Sequence, residues 1–197
     1  AFCDETGNVR VVFGFETGPE HRQLWPFAAR LTLTVTVGSA LSLELETCNT
    51  GSQAFELTQA LHTYFRVGDI TQVQVHGLDG AVYLDKVEAF ARKRQVGPVI
   101  IDREVDRIYV GTCGTTVIDD RCSSRRIAIS KQGSSSTVVW NPWGPRAARM
   151  GDLGPDGWRH FLCVETTNAG DDVIGLEPGA RHTLAATYSL RQPGSAT

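Results

Sequence analysis

The sequence predicts an all-β fold of antiparallel strands, and two observations support this fold class. Apolar and polar residues alternate with a period of two along much of the chain, whereas the 3.6-residue period of amphipathic helices is almost absent. Clusters of Gly, Pro, Ser and Asp interrupt the alternating segments at short intervals. Many short strands with frequent turns favour an antiparallel sandwich or barrel over a sheet covered by helices.

The strongest local signal is a hairpin near the N-terminus. Leu31–Val37 alternates aliphatic residues with threonine, Gly38–Ala40 turns the chain, and Leu41–Glu46 resumes the alternation. The other predicted strands, in chain order, are Val9–Phe15, Phe55–Phe65, Gln72–Gly77, Asp106–Val110, Arg125–Ser130, Thr137–Asn141, His160–Thr166 and Thr183–Arg191. Turns or loops are expected at Gly77–Gly80, Gly133–Ser136, Pro142–Pro145, Gly151–Gly157 and Pro178–Gly179. The basic run Arg92–Arg94 is expected to be a solvated face ahead of a loop.

Length and composition bound the domain organisation and the partners. A chain of 197 residues suits a single domain, which we place at residues 1–191, followed by a flexible tail at 192–197. Its 41% hydrophobic and 21% charged residues are typical of a soluble globular protein. A net charge of -3 and a pI near 6.0 argue against nucleic acid or an anionic membrane as the main partner.

The cysteines and the N-terminal residues predict a cytoplasmic protein. The five cysteines are odd in number and widely spaced, so they indicate reduced thiols rather than a disulfide framework or a zinc site. No apolar run approaches the roughly 20 residues that span a bilayer. No basic region followed by an apolar stretch is visible at the N-terminus, so no secretory signal is expected.

Two ionisable residues in apolar segments are the main candidates for chemistry. His62 lies within Phe55–Phe65, and Glu165 lies within His160–Thr166, whose two faces are both apolar, as in a central strand. A buried imidazole or carboxylate is costly unless it is paired, so the two side chains together suit proton transfer on a neutral polar substrate. The alternative for each is structural, because a strand His is often a satisfied core residue and a strand Glu is often at an edge.

Six segments resemble the hexose-6-phosphate mutarotases, which are relatives of aldose 1-epimerase. They occur in the order found in that family: Leu57–Ile70, Gly77–Leu78 with Tyr83–Lys86, Glu104–Tyr109, Val139–Trp143 followed by Met150–Asp152, Phe161–Gly170 and Leu176–Gly179. The resemblance implies a galactose mutarotase-like antiparallel β-supersandwich and an isomerase that interconverts the α and β anomers of a hexose 6-phosphate. It implies no cofactor and no metal, in keeping with a sequence that lacks a dinucleotide fingerprint, a P-loop or a His/Cys cluster.

The resemblance also assigns roles to individual residues. By matching segments, His62 is the general acid, Glu165 is the general base and Asp106 binds sugar hydroxyls. The alternative for Asp106 is an ion pair with Arg107 or with another nearby arginine. Asn141 is expected either to line the cleft or to serve ordinary turn chemistry before Pro142.

The aromatic and cationic residues of the matched segments leave alternatives open. Trp140 and Trp143 are expected to stack on a pyranose or, for at least one of them, to pack in the core. Lys86 and Arg66 are the cations in these segments that could bind a phosphate. The preferred interpretation is that both are charged surface residues exposed to solvent.

The sequence departs from the family in one respect. It resembles only the C-terminal two-thirds of a family domain, and the arginines that bind phosphate in the family lie mostly in the part without a counterpart here. The remaining strands are expected to leave unpaired edges and an exposed apolar face, and hence a monomer or a weak dimer.

Three functions therefore compete with hexose-6-phosphate mutarotation. The first is a non-catalytic carbohydrate-binding or regulatory sandwich, and the second is an epimerase of unphosphorylated aldoses. The third is a glycoside hydrolase or lyase. Hydrolysis usually requires two carboxylates, whereas Glu165 is expected to have a histidine partner.

Overall fold

A computed structural model describes residues 2–3, 7–151 and 153–191, and strands dominate this part of the chain. The expected flexible tail, 192–197, lies outside the described residues, as does Asp152 of one matched segment. The strands are β1 Phe2–Cys3, β2 Val9–Glu16, β3 Ala29–Val37, β4 Leu41–Asn49, β5 Phe55–Leu57, β6 Gln59–Leu61, β7 Tyr64–Arg66, β8 Val73–His76, β9 Val82–Asp85, β10 Ala91–Arg94, β11 Val99–Ile100, β12 Val105–Val110, β13 Thr116–Asp120, β14 Arg125–Gln132, β15 Ser136–Asn141, β16 Phe161–Asn168, β17 Ile174–Leu176 and β18 Arg181–Arg191.

Helical structure is confined to short pieces. The α-helix of the described residues, α1, covers Trp143–Ala147, where the sequence predicted a turn. Short 3₁₀ helices cover Pro19–His21, Ile70–Gln72, Lys86–Glu88 and Gly157–His160. Within the described ranges, no helix has the length and apolar character needed to cross a membrane.

The strands form two large antiparallel sheets and one small one, which confirms the predicted all-β fold class. The larger sheet has nine strands in the order β1-β2-β3-β4-β18-β14-β13-β8-β11. The second sheet has seven strands in the order β10-β9-β12-β15-β16-β6, with β7 also paired to β16. Strands β17 and β5 pair separately. The seven-stranded sheet carries the candidate site.

The two large sheets pack face to face on one apolar core. One face of the seven-stranded sheet contributes Val139, Leu162 and Val164, and the nine-stranded sheet contributes Ile118, Ile129 and Leu184. Because side chains alternate across a strand, residues one position away from these core residues point to the outer face of the sheet. That outer face is where the polar candidates of the sequence lie.

The predicted hairpin is confirmed. Val37 pairs with Leu41, and the Gly38 amide donates to the Ala40 carbonyl over 3.0 Å. The thiols of Cys48, Cys113, Cys122 and Cys163 are free, as expected. The side chain of Cys3, for which the same state was expected, is not among those described.

The predicted strand Phe55–Phe65 is wrong as a single element. It divides into β5, which leaves to pair with β17, and into β6 and β7, which both pair with β16. The interruption between β6 and β7 is a tight turn in which the Thr63 amide donates to the Leu61 carbonyl over 2.9 Å. The Thr63 hydroxyl also bonds the Tyr188 hydroxyl at 2.7 Å, which fixes the turn against the other sheet.

Six strands, namely β1, β9, β10, β11, β13 and β17, were not predicted, and β10 shows why. It contains the basic run Arg92–Arg94, which was expected to be solvated and followed by a loop. The run is a charged edge strand, a common way to protect a sheet edge from further pairing. Lys93 lies 3.0 Å from Asp85 of the neighbouring strand and 2.5 Å from Glu88.

Candidate active site

The floor of the site follows from strand alternation in three neighbouring strands. On β12, β15 and β16, every second residue points to the outer face of the seven-stranded sheet. The strand registers align these residues in two rows, namely Asp106, Trp140 and Cys163 in one and Ile108, Val138 and Glu165 in the other. The floor is thus apolar at its centre and carries one carboxylate in each row.

His62 meets Glu165 because of the register between β16 and its edge partners. Leu61 pairs with Thr166, and Tyr64 pairs with Cys163, so the residue facing Glu165 across the sheet is His62. The His62 Nε2 atom lies 3.3 Å from the Glu165 Oε1 atom. The two candidates that lie far apart in sequence are therefore brought together.

The expectation that both side chains are buried is correct only for Glu165. Its side chain is 6% exposed, whereas that of His62 is 49% exposed and lies in the interruption between β6 and β7. The imidazole thus covers one side of a buried carboxylate and is open to the pocket on the other. This arrangement leaves the histidine free to meet an entering ligand.

The Glu165 carboxyl has an altered proton affinity. Burial and, to a smaller extent, the nearby Asp106 carboxylate raise its pKa to about 7, and the Lys86 ammonium opposes both effects. A carboxyl group with a pKa near neutrality exchanges protons readily at physiological pH, which is the property required of a general acid or base.

Asp106 faces the pocket and is paired with a lysine rather than an arginine. The Lys86 Nζ atom lies 3.0 Å from Asp106 Oδ2. The alternative predicted an ion pair with Arg107 or another arginine, and the ion pair found here has a lysine as its partner instead. Lys86 takes this position because Asp85 ends β9 and accepts from the Val87 amide over 3.2 Å, which begins a 3₁₀ turn. A carboxylate held in this way keeps lone pairs that can accept hydrogen bonds from a ligand.

Aromatic rings line the side of the site beside His62. The Tyr64 ring stacks on the imidazole with a centroid distance of 4.9 Å and an angle of 16° between the planes. Trp140 meets the imidazole edge-on at 6.0 Å and also packs on Phe161. Trp140 is largely buried and also lines the pocket, so it packs in the core, and its stacking on a sugar ring stays a prediction.

These residues enclose an open pocket of about 310 Å³, which is near the lower end of the range for small-molecule sites. Its wall includes Ala60 and Thr167 in addition to the residues above, and Arg146 of α1 stands at the rim. The Arg146 guanidinium pairs with Glu104 at 2.8 Å. The sequence analysis missed Arg146, because the segment around it was expected to be a turn.

The expectation that Asn141 lines the cleft is wrong. Its side chain is 0% exposed, and its amide donates to the carbonyls of Trp158 and Phe161, each over 2.9 Å. Its Oδ1 atom accepts from the Trp143 amide over 2.9 Å. Asn141 therefore joins the end of β15 to the start of β16, and it holds the neighbouring Trp140 in place.

The remaining candidates lie elsewhere. The Trp143 ring packs against Trp158 with the centroids 4.4 Å apart and the planes tilted by 51°, and neither ring lines the pocket that holds Glu165. Arg66 is exposed and lines a separate hollow with Arg125 and His160. One combination was not foreseen, since the Cys163 sulfur lies close to both His62 and Glu165 and completes a set of three metal-ligating side chains.

Comparisons with known proteins agree with the fold. The profile of the aldose 1-epimerase family matches residues 3–189. A Cenchrus ciliaris protein named "Putative glucose-6-phosphate 1-epimerase" is 34% identical over 165 residues, which cover 81% of this chain and 50% of that protein. An Escherichia coli K12 protein of the same name is 34% identical over 169 residues, which cover 85% and 56%.

A solved structure is similar over most of the chain. It is described as "a putative mutarotase" from Salmonella typhimurium, and it superimposes with a TM-score of 0.86 at 30% identity. The match covers 94% of this chain and 61% of that one. The chain thus spans about half the length of the curated relatives described above, with shares of 50% and 56%.

Proposed function

Because the chain belongs to the aldose 1-epimerase family, we propose that it interconverts the α and β anomers of a hexose 6-phosphate. The observation that carries the proposal is the contact between His62 and Glu165, whose proton-carrying atoms lie 3.3 Å apart at the pocket wall. The two oxygens that react in anomerisation are both attached to C1 of the sugar. A proton donor and a proton acceptor must therefore be close neighbours, as these two are.

Each side chain moves one proton in the proposed reaction. The Glu165 carboxylate removes the proton of the C1 hydroxyl, the bond between C1 and the ring oxygen breaks, and that oxygen takes a proton from His62. The product is an open-chain aldehyde. Rotation about the C1–C2 bond presents the other face of the aldehyde. On ring closure the C5 hydroxyl returns its proton to His62, and Glu165 gives its proton to the C1 oxygen, so both side chains recover their starting states.

The electrostatic environment suits these roles. The Glu165 carboxyl has a pKa of about 7 because burial and Asp106 disfavour its charge, so both of its protonation states are populated at neutral pH. Asp106 is available to accept from sugar hydroxyls, with its position fixed by Lys86. Trp140 offers an apolar surface for a pyranose next to the imidazole.

Two kinds of support bear on the phosphate. The relatives from Cenchrus ciliaris and Escherichia coli carry glucose-6-phosphate in their names. The pocket wall also includes two cations, Lys86 and Arg146, which favour an anionic substrate even though each already has a carboxylate partner. The hexose itself follows from neither observation, so the substrate has to be tested directly.

The test is anomer exchange measured by NMR at equilibrium, where magnetisation transfers between the two C1 protons only if the anomers interconvert. We expect exchange faster than in buffer with glucose 6-phosphate and slower exchange with glucose at the same enzyme concentration. Replacing the acid, His62→Gln, should lower the rate by roughly 10²–10⁴-fold. The matched control His160→Gln changes an exposed histidine outside the pocket and should retain the rate.

The outcomes separate the proposal from its competitors. Equal acceleration with glucose and glucose 6-phosphate would indicate an epimerase of unphosphorylated aldoses. Sugar binding without acceleration would indicate the second candidate, a carbohydrate-binding sandwich. Release of reducing ends from an oligosaccharide would indicate a hydrolase that uses Glu165 and Asp106 together.

A further inference from the structure

Cys163 is a buried thiol at the site that the proposed reaction does not use. It is 0% exposed and lies two residues before Glu165 on the same face of β16. Its sulfur, a ring nitrogen of His62 and a carboxylate oxygen of Glu165 all lie within 4.8 Å of one another. The thiol and the carboxylate, both on β16, thus lie close to the imidazole from the neighbouring turn between β6 and β7.

These three groups are the donor types that zinc prefers. Zn²⁺ binds sulfur at about 2.3 Å and nitrogen or oxygen at about 2.0–2.2 Å, so the ligand atoms of a tetrahedral site lie about 3.3–3.8 Å apart. The His62 and Glu165 atoms already lie 3.3 Å apart. The distances to the sulfur need to shorten by at most about 1.5 Å to reach the same geometry, which side-chain rotation can supply.

We infer that His62, Cys163 and Glu165 form a binding site for a borderline-soft divalent cation of the Zn²⁺ class, with its fourth coordination position open to the pocket. Hard cations such as Mg²⁺ and Ca²⁺ are excluded by the thiol and imidazole donors, because these ions prefer oxygen ligands. Three protein ligands and one open position are the arrangement of zinc sites that bind water or a ligand at the fourth position, rather than of closed structural ones.

The charges around the site have opposing effects on a cation. Burial raises the pKa of both the Cys163 thiol and the Glu165 carboxyl, so an entering metal must displace their protons. The Asp106 carboxylate attracts a cation, whereas Lys86, 3.0 Å from it, repels one. We therefore expect weaker binding than in a structural zinc site.

Occupancy of this site would stop the proposed reaction. A bound Zn²⁺ takes the Glu165 lone pair and the His62 ring nitrogen, so neither side chain can transfer a proton, and the ion occupies the place of the C1 oxygens. This consequence rests on the proposed function, whereas the binding site itself does not. The two can be tested separately.

The test of binding uses Co²⁺ as a spectroscopic substitute for Zn²⁺. Cys3, Cys113 and Cys122 are first replaced by Ser, which leaves the buried thiols of Cys48 and Cys163. We expect one Co²⁺ per chain, with a thiolate-to-cobalt charge-transfer band that Zn²⁺ abolishes. Loss of an outer-shell partner of a metal site typically costs 10–100-fold in affinity, so loss of a direct ligand should cost at least about 10-fold.

Three variants decide the result. Cys163→Ser should remove the charge-transfer band, and Cys48→Ser, the buried control, should retain it. His62→Gln should weaken Co²⁺ binding by at least about 10-fold without lowering the thermal midpoint, because the His62 side chain is 49% exposed. A band that survives Cys163→Ser, an affinity unaffected by His62→Gln, or no Co²⁺ binding at all would overturn the inference.

The inhibition arm separates this inference from the proposed function. We expect Zn²⁺ to slow anomer exchange in the Ser-substituted background and a chelator to restore it. If Co²⁺ binds but anomer exchange is not accelerated under any condition, the proposed function is refuted and the inferred metal site is supported. Exchange that proceeds at full rate with Co²⁺ bound would refute the competition between metal and sugar.

Discussion

Two strands of equal length, β2 and β16, differ completely in what covers them. All eight residues of β16 are buried, whereas six of the eight residues of β2 are exposed. The exposed residues of β2 include Val9, Val12, Phe13 and Phe15. Both strands are rich in apolar residues, so composition alone does not distinguish them. The difference teaches that alternation predicts a strand but does not say which surfaces will cover it.

The position of each strand in its sheet explains the difference. β16 lies between β15 and the pair β6 and β7, with the core on one face and the pocket on the other. β2 lies one strand from the end of the nine-stranded sheet, next to the two-residue β1. Within the part of the chain that the structure describes, apolar side chains of β2 are exposed to solvent, in agreement with the exposed apolar face predicted from the sequence.

The largest effect is expected at the carboxylate of β16. Glu165→Gln keeps the size of the side chain but removes the proton acceptor, so anomer exchange should fall by roughly 10²–10⁴-fold. The matched control is Glu56→Gln, which changes an exposed glutamate of β5. NMR exchange rates of both variants provide the measurement. A Glu165→Gln protein that retains its rate would show that Glu165 is not the base.

The next effect tests the comparison of the two strands directly. Leu162 of β16 is 0% exposed and Phe13 of β2 is 57% exposed. Leu162→Ala should lower the free energy of unfolding by about 2–5 kcal/mol, because it leaves a cavity in the core. Phe13→Ala should change it by less than about 0.5 kcal/mol. Urea unfolding at one protein concentration compares them, and equal costs would mean that β2 is covered in solution.

The sequence could predict much of β16 but only part of its surroundings. The apolar faces of His160–Thr166 indicated a central strand, and the strand found there is central. The contact between His62 and Glu165 depends on the register between distant segments, which alternation does not reveal; the resemblance to a family supplied that pair. Lys86 was undervalued because β9, which ends beside it, was not predicted.

Asn141 shows an error that the sequence itself could have prevented. Trp140 and Asn141 are neighbours in a predicted strand, so they must point to opposite faces. Only one of them can line a pocket on a given face, and the structure shows that it is Trp140. The three hydrogen bonds of Asn141 could not have been predicted, because they depend on how α1 and the segment before β16 pack.

A third prediction concerns the stability cost of the buried charge on β16. The pKa of Glu165 is about 7 when folded, against 4.5 for an ordinary glutamate, so the folded state binds this proton more tightly. The wild type therefore loses stability as the pH rises from about 4.5 to about 7. Glu165→Gln avoids this loss and should be more stable above pH 7 by about 3 kcal/mol. Urea unfolding at pH 4.5 and pH 7.5 provides the test; a gain of equal size at both pH values would exclude this cause.

A fourth prediction concerns the polar anchor of β16. Asn141→Ala removes the donor to the Trp158 and Phe161 carbonyls and the acceptor of the Trp143 amide. Leaving buried polar groups without partners costs about 1–3 kcal/mol. Thermal unfolding should show this loss, together with a change in the fluorescence of the neighbouring tryptophans. An unchanged midpoint would mean that water or a shifted backbone replaces these hydrogen bonds.

The smallest effect on stability, but a clear effect on association, is expected at β2. Its exposed apolar residues favour contact between two copies of the chain, because burial of apolar surface is worth about 25 cal/mol per Å². Phe13→Lys places a charge on this surface and should reduce concentration-dependent association, while the unfolding free energy changes by less than about 0.5 kcal/mol. Sedimentation velocity over a range of concentrations measures the first quantity. Val96→Lys is the matched control, since Val96 is also exposed but lies on the loop before β11. If both variants associate like the wild type, the open face of β2 does not bind a second copy, and its exposure alone carries no tendency to dimerise.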